Sequence, residues 1–225
     1  MKILAIETAT ETCSVALLDQ GKVLEQFELA PRKQTERVLP MVSALLAEAG
    51  VSRTQLDAVA FGHGPGAFTG VRVAVSVAQG LAFALDRPVL GVSTLASAAL
   101  CGFDKGIEGP LLVAFDARMG ELYLGAYRRA GDNHLETLLP DCLAHPEALP
   151  VLPHGLRGGA GSGGLYRQAL QAREPALANW DDTLHPRAAT VARLAWPRLA
   201  AGEGVAAEKA MPVYLRDRVV QVGKA

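Results

Sequence analysis

Three apolar runs occupy the first thirty residues. Lys2 to Thr8 is nearly continuous in apolar side chains, which predicts a strand buried on both faces. Cys13 to Leu18 predicts a second strand, and Val23 to Leu29 alternates as a third with one face toward water. Asp19-Gln20-Gly21-Lys22 is hairpin chemistry, because glycine accepts the positive φ that a tight turn requires. The period then changes. Gln34 to Ala49 predicts a helix stopped at Gly50. Asp57 to Gly62 predicts a short strand, Gly64-Pro65-Gly66 breaks the chain, and Thr69 is placed to cap a helix from Gly70 to Leu85. Pro88 to Val92 predicts a strand and Thr94 to Leu100 a helix.

Gly102 to Pro110 is a polar link without periodicity, so a lobe boundary is expected there. The expected lobes are 1–103 and 110–225, with the tail 211–225 packing back on the first. Leu111 to Phe115, Glu121 to Tyr127 and His134 to Leu139 predict three more strands. Ile3-Leu4-Ala5-Ile6-Glu7-Thr8-Ala9 and Leu112-Val113-Ala114-Phe115-Asp116-Ala117-Arg118 look like two copies of one unit: an apolar strand ending in an acid, then a meander. Gly155 to Gly164 holds six glycines and cannot be a regular helix; within it Gly158 to Gly164 could approach an adenine or phosphate closely, and a flexible surface loop is the favoured reading. Leu165 to Ala172 predicts a short helix, and Ala188 to Ala201 a longer one that Pro197 must kink or end early. Pro212 to Val222 reads as extended or irregular. The expected fold is α/β, two-lobed, with a duplicated mixed sheet and flanking helices.

The two helices of the first lobe are more apolar than a sheet cover requires. Val38, Met41, Leu45 and Ala49 form one stripe on the first helix, and Leu39, Val42 and Leu46 a second beside it. On the second helix Val71, Val73, Ala74, Val75, Val77, Ala78, Leu81 and Ala82 leave almost no polar side, and Ala74, Ala78 and Ala82 permit close helix approach. Either this helix is central to its own lobe or another subunit covers it.

Composition narrows the function classes. Hydrophobic residues make up 50% and charged residues 20% of 225, a globular balance. The formal net charge is -1, each half is close to neutral, and no basic face stands out, which disfavours tight nucleic-acid binding by the chain alone. Cys13, Cys101 and Cys142 are odd in number and far apart, which argues against a disulfide framework and suits a reducing, cytoplasmic setting. The N-terminus does not read as an export signal, and Val71 to Val92 is too interrupted by Arg72, Asp86, Arg87 and Pro88 to span a bilayer.

Candidate chemistry is sparse. Gly62 to Gly70 ends a strand and opens a helix, a place where free backbone N–H groups attract anions. It matches neither a Walker loop nor a dinucleotide fingerprint, and a structural turn is the favoured reading. Glu7 and Asp116 end the two repeat strands, where an acid can organise magnesium or a nucleophile, and the hydroxyls of Thr8 and Thr10 could meet phosphate. A plain polar strand end is the equal alternative. Of five histidines only His63 has a suggestive position, and no two share a helical face, so no metal site is expected. No serine sits in a nucleophile elbow.

Several segments together resemble the bacterial TsaB (YeaZ) family. They are Ile3 to Thr10, Gly64-Pro65-Gly66-Ala67-Phe68-Thr69-Gly70-Val71-Arg72, Gly80-Leu81-Ala82, Gly91 to Leu95, Asp116 to Tyr123 and Pro212-Val213-Tyr214-Leu215-Arg216. The resemblance runs in order along nearly the whole chain and is weakest from Leu143 to Leu184. It implies the actin-like ATPase and sugar-kinase (ASKHA) fold. It also implies a part in making N6-threonylcarbamoyladenosine at position 37 of tRNAs that read codons beginning with A.

Within that pathway the resemblance implies a non-catalytic scaffold for a TsaD-type transferase, alongside a TsaE-type ATPase, with tRNA met only in the complex and no membrane. The transferase's metal-binding His-x-x-x-His is matched here by Ser93 to Ala98, and its Gly-Gly-His-Thr phosphate turn by Asp116-Ala117-Arg118-Met119. Gln34 stands where relatives often have histidine. The implied interface is Leu39, Val42, Leu46, Ala74, Val77, Ala78 and Leu81, used for the transferase or, alone, for a homodimer. No cofactor is expected; Glu7, Asp116 and Arg118 are the weak candidates. The alternatives are a nucleotide-binding enzyme built on those three residues and the two glycine-rich loops, and a protease, an older label for the family.

Overall fold

The structure is a computed structural model that describes residues 1–216, so the part of the expected tail beyond Arg216 lies outside the described residues. The first lobe is a five-stranded sheet of order β3-β2-β1-β4-β5, built from β1 (Lys2–Glu7), β2 (Thr12–Asp19), β3 (Lys22–Leu29), β4 (Ala58–Gly62) and β5 (Val89–Val92). The β1–β2–β3 meander is antiparallel, and β4 and β5 join in parallel. Helices α1 (Gln34–Glu48) and α2 (Phe68–Leu85) supply the crossovers. Helix α3 (Thr94–Asp104) then leads to the second lobe.

The second sheet repeats the first. Its strands are β6 (Leu111–Arg118), β7 (Glu121–Gly131), β8 (His134–Ala144), β9 (Gly158–Ala160) and β10 (Trp180–Asp181), in order β10-β9-β6-β7-β8. Again the first three form an antiparallel meander and the last two add in parallel, so β6 to β10 stand where β1 to β5 stand. The repeat suspected from two heptapeptides is therefore a repeat of topology, and Glu7 and Asp116 lie on equivalent strands. The arrangement is a duplicated α/β fold of two equivalent mixed sheets with flanking helices.

Both faces of the first sheet are dry, which is why β1 lacks alternation. Leu4, Ile6, Val15, Val59 and Phe61 pack under α1 and α2. Ile3, Ala5, Ala16, Ala60, Leu90 and Val92 pack under α5 (Ala188–Ala200), with Leu100 of α3. Helix α3 turns its other side, Leu95, Ala98, Ala99 and Phe103, to Leu111, Val113 and Phe115 of β6. The chain thus returns to the first lobe already at α5, ahead of the tail, whose Val213 and Tyr214 also pack on that lobe. The expected second lobe of 110–225 is too long at its C-terminal end.

Other departures are local. Helix α2 starts at Phe68, and its cap residue is Ala67, not Thr69. Helix α3 runs through Gly102 to Asp104, because Gly102 and Phe103 are buried in core. Strands β6 to β8 extend well past their apolar cores, since hairpin pairing carries polar residues along. Helix α5 continues three residues past Pro197, whose ring is tolerated within its last turns. Helix α4 (Arg167–Arg173) begins after a 3₁₀ turn at Ser162–Tyr166. The segment Gly155 to Gly164 is no flexible surface loop. It contains β9, which is buried on both sides, and a Cβ at Gly159 would collide with the Trp180 ring.

Helix α2 meets the length and apolarity of a membrane span, contrary to the reading from Val71 to Val92. The interrupting Asp86, Arg87 and Pro88 lie beyond its end. One side of the helix, including Val71, Ala74, Val75, Ala78 and Ala82, is packed into the first lobe's core.

Candidate functional site

Glu7 ends β1 and is fully buried. Its carboxylate accepts hydrogen bonds from the Ala9 N–H at 2.7 Å and the Thr94 hydroxyl at 3.2 Å. Gly62 of the neighbouring strand lies directly against it, leaving no room for a Cβ. Burial pushes the Glu7 carboxyl from 4.5 up to about 7, against the lowering effect of those hydrogen bonds. The hydroxyls expected to meet phosphate are engaged elsewhere: Thr8 donates to the Gly70 carbonyl at 2.7 Å, and Thr10 pairs with Thr12 at 3.0 Å. Gln34 donates to the Thr10 carbonyl at 2.7 Å.

The loop from Gly62 to Gly70 wraps onto this strand end. Side chains at Gly66 and Gly70 would collide with the carbonyls of Ala9 and Thr8. Its glycines therefore serve close packing. His63 is largely buried, which holds its pKa below the usual histidine value. Its carbonyl accepts the Val213 N–H at 2.8 Å, so this loop is an anchor for the C-terminal segment.

Asp116 and Arg118 form a self-contained turn. Asp116 accepts the Arg118 N–H at 2.9 Å and pairs with its guanidinium at 3.0 Å, while Ser162 accepts the Asp116 N–H at 3.1 Å. Arg118, Met119 and Gly120 all have positive φ. The side chains of Arg118 and Met119 project from this turn, both exposed. Arg216 grips it from behind, donating to the carbonyls of Ala117 at 3.0 Å and Arg118 at 3.3 Å and pairing with Glu121. The structure does not bring Glu7, Asp116 and Arg118 into one hydrogen-bonded group. Among the described residues, no three His, Cys, Asp or Glu side chains converge to hold a metal ion. Ser93, in the stretch that matches the transferase's metal-binding motif, donates to Asp141 at 2.5 Å and caps α3 through the Ala96 N–H, with no histidine among its partners.

An unpartnered apolar surface lies on α1 and α2. A groove of about 470 Å³ runs between them, lined by Thr35, Leu39, Phe68, Arg72, Val73 and Val77. Leu39 is 50% exposed and Phe68 is 52% exposed, and Val77 and Leu81 are only partly covered. Four of the seven expected interface residues are not on this surface. Val42, Leu46, Ala74 and Ala78 are buried in the first lobe's core. The physical reason is that Val42 and Leu46 of α1 and the alanine seam of α2 turn inward, into one core with Val15 and Leu17 of β2 and Val59 and Phe61 of β4. Leu39, Val77 and Leu81 remain as the outward members.

Sequence reasoning missed a cluster at one end of the groove. The Arg72 guanidinium lies 3.6 Å from the centre of the Phe68 ring, and its Nε donates to the Tyr214 hydroxyl at 2.6 Å. The Phe68 and Tyr214 rings stack at 5.8 Å. All three residues lie in recognisable motifs, but nothing local pairs residues 142 positions apart.

Comparison with known proteins identifies the family. A family model described as TsaD, tRNA N6-adenosine threonylcarbamoyltransferase, matches residues 23–224. The tRNA threonylcarbamoyladenosine biosynthesis protein TsaB of Escherichia coli K12 is 41% identical over 97% of this chain and 96% of its own length. That of Bacillus subtilis is 35% identical over 63% of this chain and 61% of its own length. The solved structure of YeaZ from Pseudomonas aeruginosa superposes with a TM-score of 0.89 at 44% identity, covering 95% of this chain and 99% of that one. The chain belongs to the TsaB (YeaZ) family and shares its domain with the TsaD-type transferases.

Proposed function

We propose that this protein is a non-catalytic subunit of the machinery that forms N6-threonylcarbamoyladenosine at position 37 of tRNAs reading ANN codons. It binds and stabilises a TsaD-type transferase through the outer face of α1 and α2. The observation that carries this is a helix, α2, whose composition is apolar nearly all round while one whole side lacks cover. The names of the similar proteins supply the pathway. A passive role in chemistry is supported by the sealed Glu7 and by the crowded Asp116–Met119 turn, which offers a phosphate no open cradle. Alone, the chain pairs with itself through the same face. A TsaE-type ATPase and tRNA join only the assembled complex. Free Cys13, Cys101 and Cys142 suit the cytoplasm, where thiols stay reduced.

Leu39→Asp and Leu81→Asp test this. Leu39 is half exposed, so its replacement leaves the fold intact, whereas a charge there has to be desolvated in a complex. Mixed with the transferase from the same organism, each variant is expected to lose about a hundredfold in affinity by calorimetry. Light scattering should show the one-to-one complex dissolved. A folded Leu39→Asp chain that binds at full strength would refute the assignment.

A further inference from the structure

After α5 the chain follows the edge of the first lobe. Val205 bridges to Val89, and Ala207 and Ala210 enter the core beside α2. The next six residues, Met211 to Arg216, cross from the first lobe to the second without regular structure. They are held at three points. The Val213 N–H donates to the His63 carbonyl, in the loop that precedes α2. Tyr214 stacks on Phe68 and accepts from Arg72, at the end of the α1/α2 groove. Arg216 donates to the carbonyls of the Ala117–Arg118 turn and pairs with Glu121, all in the second lobe.

We propose that Met211–Arg216 is a strap that presets the transferase-binding face: Tyr214 fixes Phe68 and Arg72, and Arg216 ties that cluster to the β6–β7 turn. This rests on the reading of the α1/α2 face as the binding surface. The physical case is one of order. Phe68 is at the first position of α2 and half exposed, and Arg72 is exposed one turn later. Unsupported, a long arginine side chain samples many rotamers, and docking a partner on it costs that freedom. Here the guanidinium is held between a ring face and a phenol, so it is already ordered when a partner arrives. The element that orders it is anchored outside the lobe carrying the face. A shift of the Arg118–Gly120 turn moves Arg216, and through two residues of chain moves Tyr214. Tyr214 and Arg216 are therefore positioning residues for the interface.

The test measures the affinity of the full chain for the transferase by calorimetry, with hydrogen exchange of residues 68–73 in the free chain as a second readout. Arg216→Ala is expected to weaken binding about tenfold and to raise exchange at the start of α2, although it touches neither α1 nor α2. Tyr214→Ala should do the same. Tyr214→Phe, which keeps the stack and loses the Arg72 bond, should fall between. Because the two residues act in series, the double variant should bind no more weakly than Tyr214→Ala alone. Arg216→Lys should remain weakened, since an ammonium lacks the fork that spans two carbonyls and a carboxylate. Thermal melts establish that each chain is folded. Wild-type binding by Arg216→Ala, or a double variant that loses the sum of the singles, overturns the strap. Leu39→Asp separates the two ideas: if it abolishes binding while the strap variants do not, the face stands and the strap is only structural. If it binds normally, both fail.

Discussion

Glu7 keeps both carboxylate oxygens out of water at the end of a strand, where its hydrogen bonds come from one backbone N–H and one threonine. Among the described residues no cation pairs with it, and its pKa rises from 4.5 to about 7 because burial disfavours the charged form. The folded chain therefore holds this proton more tightly than the unfolded chain. Between those two values the native state binds more protons, so stability falls as pH rises through that window. Below it Glu7 imposes no penalty. Glu7→Gln keeps the acceptor for Ala9 and removes the titration. Its stability advantage over the wild type should be near zero at about pH 3.5 and reach on the order of 3 kcal/mol at about pH 8. Urea unfolding at both pH values checks this, and a constant difference across them would exclude Glu7 as the titrating group. The position of this acid was legible in the sequence; its environment was not. The groups that seal it, Gly62 and Thr94, arrive from other elements, and periodicity within β1 says nothing about them.

Helix α5 begins without a capping residue of its own: Arg187 stands at its N-cap and makes no side-chain cap. The free N–H groups are satisfied from the first sheet. Ser14 of β2 accepts the Ala188 N–H at 3.0 Å, and Glu25 of β3 accepts the Ala189 N–H at 3.0 Å. Glu25 also takes the Ser14 hydroxyl at 2.7 Å and the Arg187 guanidinium at 2.7 Å, and that guanidinium lies 4.1 Å from the centre of the Phe27 ring. The carboxylate at this end also complements the helix dipole. Glu25→Ala strands all three donors at once and should cost about 2 kcal/mol in chemical unfolding, with Glu25→Gln costing less than half of that. Equal losses in the two variants would mean that charge, not the cap, is what α5 needs. The extent of this helix was readable from its apolar period to within a residue. Its docking place was not, because its cap comes from β2 and β3, more than 160 residues away. Strands β9 and β10 escaped for a different reason. At three and two residues they are too short to show a period, and β9 is mostly glycine.

At the scale of the molecule, the two sheets copy one another, yet the lobes are not independent. One face of the first sheet, with Ile3, Ala5, Ala16, Leu90 and Val92, is covered by α5, which the chain reaches only after completing the second sheet. Helix α3 is shared, facing both cores. Ser93 at the head of α3 is bound by Asp141 of β8, whose carboxyl is raised above its usual value by burial. The duplication itself was legible, because strands ending in an acid and followed by a meander recur with similar spacing. The exchange of α5 between lobes was not, since a linear reading assigns each helix to the lobe it follows. A consequence is that residues 1–106 alone should not fold: removing α5 bares one whole side of a buried sheet, and burial of that kind is the main stabilising term. Expressed alone, this fragment should show no cooperative melt and should bind a hydrophobic dye. Joining residues 186–210 to it through a glycine–serine linker restores the cover and the Ser14 and Glu25 partners, and should restore a cooperative transition. If 1–106 melts cooperatively by itself, α5 is an accessory of the first lobe. If only the joined chain does, the first lobe is a discontinuous folding unit closed by a helix from the far end of the chain.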